Sequence, residues 1–81
     1  MKKDYTAISG QIIKINISEE ALKNFGFTHG EEVNHKSMGP CTVIGVAPNL
    51  DGIIVLWVAV HGCGGGNVAW TNTTELEKIK T

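Results

Sequence analysis

The run Ile53-Ile54-Val55-Leu56-Trp57-Val58-Ala59-Val60 constrains the fold more than any other part of the chain. Eight consecutive apolar residues are far short of the roughly 20 needed to cross a bilayer, so the run belongs to a folded core. As a β-strand it places Ile54, Leu56, Val58 and Val60 on one face and Ile53, Val55, Trp57 and Ala59 on the other, and both faces are apolar. An antiparallel strand with one wet face alternates apolar with polar residues. Here something must cover each side. The cover on the second side is either the chain's own N-terminal strand and helix or a partner subunit, and the two can coexist.

At 81 residues the chain makes one domain, because a domain of this size buries only about 60% of its unfolded surface. With 42% hydrophobic and 19% charged residues it has enough apolar material for a core and does not read as disordered. The formal net charge is −1 and there is no arginine. Without the planar guanidinium fork, phosphate clamping and guanine reading lose their usual side chain, which leaves nucleic-acid binding to lysines such as Lys2, Lys3, Lys14, Lys78 and Lys80. The start Met1-Lys2-Lys3-Asp4 is not followed by the apolar stretch of a secretory signal, so the expected location is the cytoplasm. In that compartment Cys41 and Cys63 are expected as free thiols.

Residues 8–17 end in period-two alternation, with Ile13, Ile15 and Ile17 on one face, and read as a half-buried strand. Ser18-Glu19-Glu20 reads as an N-cap and acidic first turn of a short helix that Gly26 ends. Beyond Gly30 the pattern is one of short strands: Glu31 to His35, a turn at 36–40, Cys41 to Val46, a reversal at 47–52, the long run itself, a glycine loop at 62–66, and Asn67 to Thr71. Thr73 to Ile79 reads as a closing helical turn that packs Leu76 and Ile79 on the body. The expected architecture is mainly β: a small barrel (28–81) with an N-terminal strand and short helix (1–27) packed on it, all within a single domain (1–81).

Candidate functional residues crowd between positions 57 and 70. Trp57 and Trp70 are large rings with an indole N–H that needs a partner, so each fills either the core or a binding surface. His61, the loop residues Gly64, Gly65 and Gly66, and Asn67 lie between them. The glycine loop lacks the Lys-Ser/Thr that follows a phosphate-binding loop and opens no long helix, but it can allow close backbone approach. His29, His35, Cys41, His61 and Cys63 do not have the spacing of a compact zinc site. Cys63 with His61 lacks a third orienting carboxylate, and the pairs Glu19-Glu20 and Glu31-Glu32 diverge in direction. The expectation is therefore no catalytic residue, no cofactor and no metal ligand.

The stretch Gly30-Glu31-Glu32-Val33 through Lys36-Ser37-Met38-Gly39-Pro40-Cys41-Thr42-Val43-Ile44-Gly45-Val46, then Ile54 to Val58, then Thr74-Glu75-Leu76-Glu77-Lys78-Ile79, resembles small SH3-like barrels. Such barrels include adaptor modules, nucleic-acid-binding modules and the tetrameric plasmid-type dihydrofolate reductase, whose active pore forms between subunits. Gly30, Val33, Lys36, Ser37, Ile44, Gly45, Leu76, Glu77 and Ile79 are similar in order to that reductase. Its catalytic floor of valine, glutamine, isoleucine and tyrosine would fall on Val68, Ala69, Trp70 and Thr71, where both polar members are missing.

The function expected from the sequence is thus a non-enzymatic interaction module that presents Trp57, His61, Gly64, Gly65, Gly66, Asn67 and Trp70. Its expected partners are a second copy, as dimer or tetramer, or a protein, peptide or small molecule, with no membrane and no nucleic acid. The alternatives are a small homo-oligomeric enzyme with an intersubunit pocket and a weak nucleic-acid-binding barrel.

Overall fold

The computed structural model describes residues 2–61 and 68–79. Its elements are β1 (Lys2–Thr6), β2 (Ile12–Asn16), α1 (Glu19–Lys23), β3 (Glu32–His35), β4 (Gly39–Pro48), β5 (Ile54–Val60), β6 (Val68–Thr71), a 3₁₀ turn (Thr73–Glu75) and β7 (Leu76–Lys78). The chain is mainly β, with seven strands among the described residues paired antiparallel in one sheet. β5 pairs with β4 and β6, and the other edge of β4 is shared between β3 and β2. Ala7, just after β1, meets Val68 of β6 in an isolated parallel bridge, so the sheet curls toward a barrel without closing among the described residues. No helix among the described residues is long and apolar enough to cross a membrane.

β5 separates two cores, as its two apolar faces require. Leu56, Val58 and Val60 face a cluster with Leu22, Phe27, Val33, Cys41, Val43, Val46 and Leu76. Val55 and Trp57 face a second cluster with Ala7, Ile15, Ile44, Ala47 and Val68. α1 and the residues after it cover the first face, and the β1–β2 hairpin covers the second through Ala7, Ile15, Tyr5 and Ile13. The chain's own N-terminal segment therefore supplies cover on both sides. Fully buried side chains such as Leu56 and Val58 each contribute about 1.5–3 kcal/mol by leaving water.

β4 serves both cores because it changes parity midway. Its register with β5 steps from Val43–Val58 to Gly45–Trp57, so two β4 residues pass for one of β5 and Ile44 is the extra residue of a bulge. Before the bulge the odd residues Cys41 and Val43 face the first core. After it the even residue Val46 does, and Ala47 turns to the second. The position next to the bulge has to be glycine, since a Cβ on Gly45 would lie 2.5 Å from the Asn16 carbonyl oxygen and 2.6 Å from Ile15 Cγ2. The missing side chain is what lets β2 dock on β4.

Local chemistry accounts for the connections. Ser18 caps α1 by accepting from the Ala21 N–H at 3.3 Å, and the helix stops after five residues, held by buried Leu22. The reversal between β4 and β5 is an Asx turn in which Asn49 Oδ1 accepts from the N–H groups of Asp51 (2.9 Å) and Ile53 (3.1 Å). Gly52 completes it at φ 78, a conformation L side chains rarely adopt.

Three expectations need correction. The segment 8–17 is not one strand: Ala7 to Gly10 is a turn, and β2 starts at Ile12. Lys2–Thr6, given no element in the reading of 1–27 as one strand and a short helix, is strand β1, stable because it pairs along all of β2. The closing segment is a 3₁₀ turn followed by strand β7, which buries Leu76 but leaves Ile79 48% exposed, since Leu76 is the one of the two that lies over the first core. The glycine loop, Cys63, Gly64, Gly65, Gly66 and Asn67 lie outside the described residues.

Candidate functional site

β5 and β6 set Trp57 directly across from Trp70 in the strand register. The two rings have different roles. Trp57 is 4% exposed, and its indole N–H donates to the Ala47 carbonyl at 3.1 Å, so its polar handle is satisfied inside the protein and the ring serves as a floor. Trp70 is 45% exposed on the same side of the sheet. Of the pair, only Trp70 offers substantial area to a ligand.

Around this pair lies a groove of about 470 Å³. One wall is the β1–β2 turn and the start of β2, through Ala7, Ser9, Gln11 and Ile13, and the opposite wall is the β4–β5 turn, through Pro48, Asn49 and Leu50. A second hollow of about 380 Å³ shares both tryptophans and continues between β6 and Ala7, Ile8 and Ser9. Hydrogen bonds fix both walls. The first turn closes through Ala7 N–H to Gln11 O and Gly10 N–H to Ala7 O, each 2.8 Å, and the second is the Asx turn at Asn49. Leu50 is 91% exposed at the tip of that rigid turn, and Ile8 is 49% exposed at the tip of the other. None of the described residues lining either hollow is ionisable. Their side chains offer apolar, amide and hydroxyl groups.

His61 is not part of this groove. It follows β5 at the end away from the Asn49 turn, about 13 Å along the chain from Trp57. There Thr42 Oγ1 donates to Glu32 Oε1 at 3.0 Å and lies 2.6 Å from His61 Nε2, while Glu32 Oε2 is 3.6 Å from the same nitrogen. Which of His61 and Thr42 donates follows the imidazole tautomer. Together with Glu32 they form a surface hydrogen-bond chain.

His35 and Cys41 have structural settings. His35 Nδ1 accepts from the N–H groups of Ser37 (2.9 Å) and Met38 (3.1 Å), holding the β3–β4 turn. Cys41 is fully buried; burial pushes its thiol above the ordinary range, a hydrogen bond with the His35 backbone opposes this, and the Glu32 charge adds to it. No group of three His, Cys, Asp or Glu among the described residues could hold a metal ion. Two of the lysines face acids: Lys14 stands across from Asp4, and Lys78 Nζ is 3.8 Å from Glu31.

Sequence reasoning named Trp57 and Trp70 but missed Ile8, which it placed in a strand, and Pro48 and Leu50, which it read only as parts of a reversal. A signal existed at Leu50, a large apolar residue among the turn formers of Pro48-Asn49-Leu50-Asp51-Gly52. In comparisons with known proteins, no family model, curated protein or solved structure matches the chain.

Proposed function

We propose that this chain is a non-enzymatic interaction module on a small SH3-like barrel, and that it binds through the groove at Trp70. The observation that carries the reading is the pairing of a half-exposed indole with a buried one at the floor of a groove whose walls mix apolar with uncharged polar side chains among the described residues. An aromatic ring held in place on a strand loses little conformational entropy on binding, which is why such rings dominate interface energetics. Ser9, Gln11 and Asn49 supply amide and hydroxyl groups at the rim to orient what binds.

The test is an NMR survey of small apolar and amide-bearing fragments against the intact chain. Shift changes should cluster on Ala7, Ser9, Leu50, Trp57 and Trp70, and Trp70→Ala should abolish them while far-UV circular dichroism stays unchanged. Binding that maps to the His61–Thr42–Glu32 surface, or that survives Trp70→Ala, refutes the reading.

A further inference from the structure

Trp70 gives the groove an aromatic platform, and the groups around it narrow what can lie there. No described side chain lining either hollow is ionisable. A charged ligand would lose hydration without meeting a counter-charge, so the chemistry favours a neutral one. Nor do the described residues make an aromatic cage for a cation, since Trp57 is buried and Trp70 is the one exposed ring lining either hollow. An extended peptide adds to a sheet through a run of outward backbone groups. β6 offers no such run. The Val68 carbonyl already accepts from the Ile8 N–H at 3.0 Å, and alternation turns Ala69 and Thr71 toward β5, so only Trp70 faces outward.

The polar groups of the groove are open donors and acceptors. Asn49 Oδ1 is occupied by the N–H groups of Asp51 and Ile53, at 2.9 and 3.1 Å. Those two bonds pin the carboxamide and leave its own N–H groups without a partner among the described residues. The exposed side chains of Ser9 and Gln11 and the Trp70 indole N–H also have none among the described residues. A flat ring and apolar flanks at Pro48 and Leu50 thus share one groove with uncharged hydrogen-bonding groups.

A neutral sugar ring divides its surface in the same way, with C–H groups on its face and hydroxyls, each both donor and acceptor, around its edge. Its face can lie on an indole while its hydroxyls meet the amides. A purely apolar ligand would instead cover the Asn49 N–H groups and leave them unpaired. The two hollows, about 470 and 380 Å³, share Ala7, Ser9, Trp57 and Trp70, so they run together across the platform. Their continuity suits linked rings rather than a single one.

We propose that the groove binds a neutral oligosaccharide, one ring stacked on Trp70 with its hydroxyls on Asn49 and Gln11; the proposal rests on the reading of the Trp70 groove as a binding surface. Trp57, across from Trp70 in register and bonded to the Ala47 carbonyl at 3.1 Å, holds the floor beside the platform fixed.

Titration of the intact chain with glucose, cellotriose, maltotriose and chitotriose, followed by NMR of backbone and side-chain amides beside the series of apolar and amide fragments, tests this. At least one trisaccharide should shift the Trp70 indole N–H and the Asn49 side-chain amide and bind more tightly than glucose. Trp70→Ala should weaken that binding about tenfold or more. Trp70→Phe, which keeps an aromatic face, should recover part of the loss. Gln11→Ala, on an exposed side chain outside both cores, should weaken binding about threefold with circular dichroism unchanged. The oligosaccharide is overturned if no trisaccharide shifts the groove signals at millimolar concentration, if Trp70→Ala and Gln11→Ala both leave binding intact, or if glucose binds as tightly as every trisaccharide. If fragments still map to the Trp70 groove in any of these cases, the binding surface stands with a different neutral occupant. If they do not, both readings fall.

Discussion

Replacing Gly45 by alanine adds a methyl group where two cores and three strands meet. The new carbon would lie 2.5 Å from the Asn16 carbonyl oxygen and 2.6 Å from Ile15 Cγ2. Both contacts are roughly 1 Å too short for favourable packing. Neither neighbour can yield easily, since one is backbone and the other belongs to a side chain with no exposed surface. Relief requires β2 to move off β4, where a single ladder pair, Asn16–Val46, joins them. Overpacking of this kind costs about 2–3 kcal/mol. Against about 4–12 kcal/mol of total stability for a chain of this length, that is a large share. At about 4–8 °C per kcal/mol, the thermal midpoint should fall by about 10–20 °C. The sign is diagnostic, because alanine in place of glycine in an ordinary strand gains about 0.5–1 kcal/mol. Urea denaturation of wild type and Gly45→Ala gives both midpoint and slope; an equal or higher midpoint for the variant would refute the close approach of β2. Gly52→Ala is the comparison, because its φ of 78 is strained for alanine but its Cβ meets nothing within 4 Å. It should cost only about 1–2 kcal/mol.

Three further outcomes can be measured with the same material. His35→Phe leaves the Ser37 and Met38 N–H groups without their acceptor and should cost about 1–3 kcal/mol by urea denaturation, with His35→Asn recovering part of the loss through its own carbonyl oxygen. In a Cys63→Ser background, Cys41 should react with a thiol reagent only as fast as the chain unfolds. Because burial raises the Cys41 thiol in the folded state, the unfolded chain releases this proton first. The thiol's effect on stability is therefore flat below the ordinary value of 9.0, and stability falls as pH rises beyond it. Thermal midpoints of wild type and Cys41→Ala compared across that range should show the extra alkaline loss only in the wild type.

What the sequence made legible follows from how local each signal is. The two-faced strand, the Ser18 cap and the reversal at Asn49 to Gly52 are written in adjacent residues, and all three are in the fold. β1 was illegible because Lys2-Lys3-Asp4 has no apolar period; its strand conformation comes from a partner ten or more residues away. The bulge was illegible because Gly45 within Val43-Ile44-Gly45-Val46 has no turn chemistry around it, and only Asn16 explains it. The mainly β architecture was therefore readable while the N-terminal hairpin was not. Of the candidate site, the aromatic pair could be read from Trp57 and Trp70 themselves. The walls could not, since they come from two turns that only the folded sheet brings together, and folding leaves His61 at the opposite end of β5.

The parity change at Ile44 has a consequence for cooperativity. A protein with two apolar clusters could melt in two steps, each cluster loosening on its own. Here β4 and β5 form one partition wall, and every side chain seated in one chamber is joined through the same backbone to residues seated in the other. Loosening either chamber displaces the wall, so amide exchange in β4 and β5 should report a single opening event shared by both.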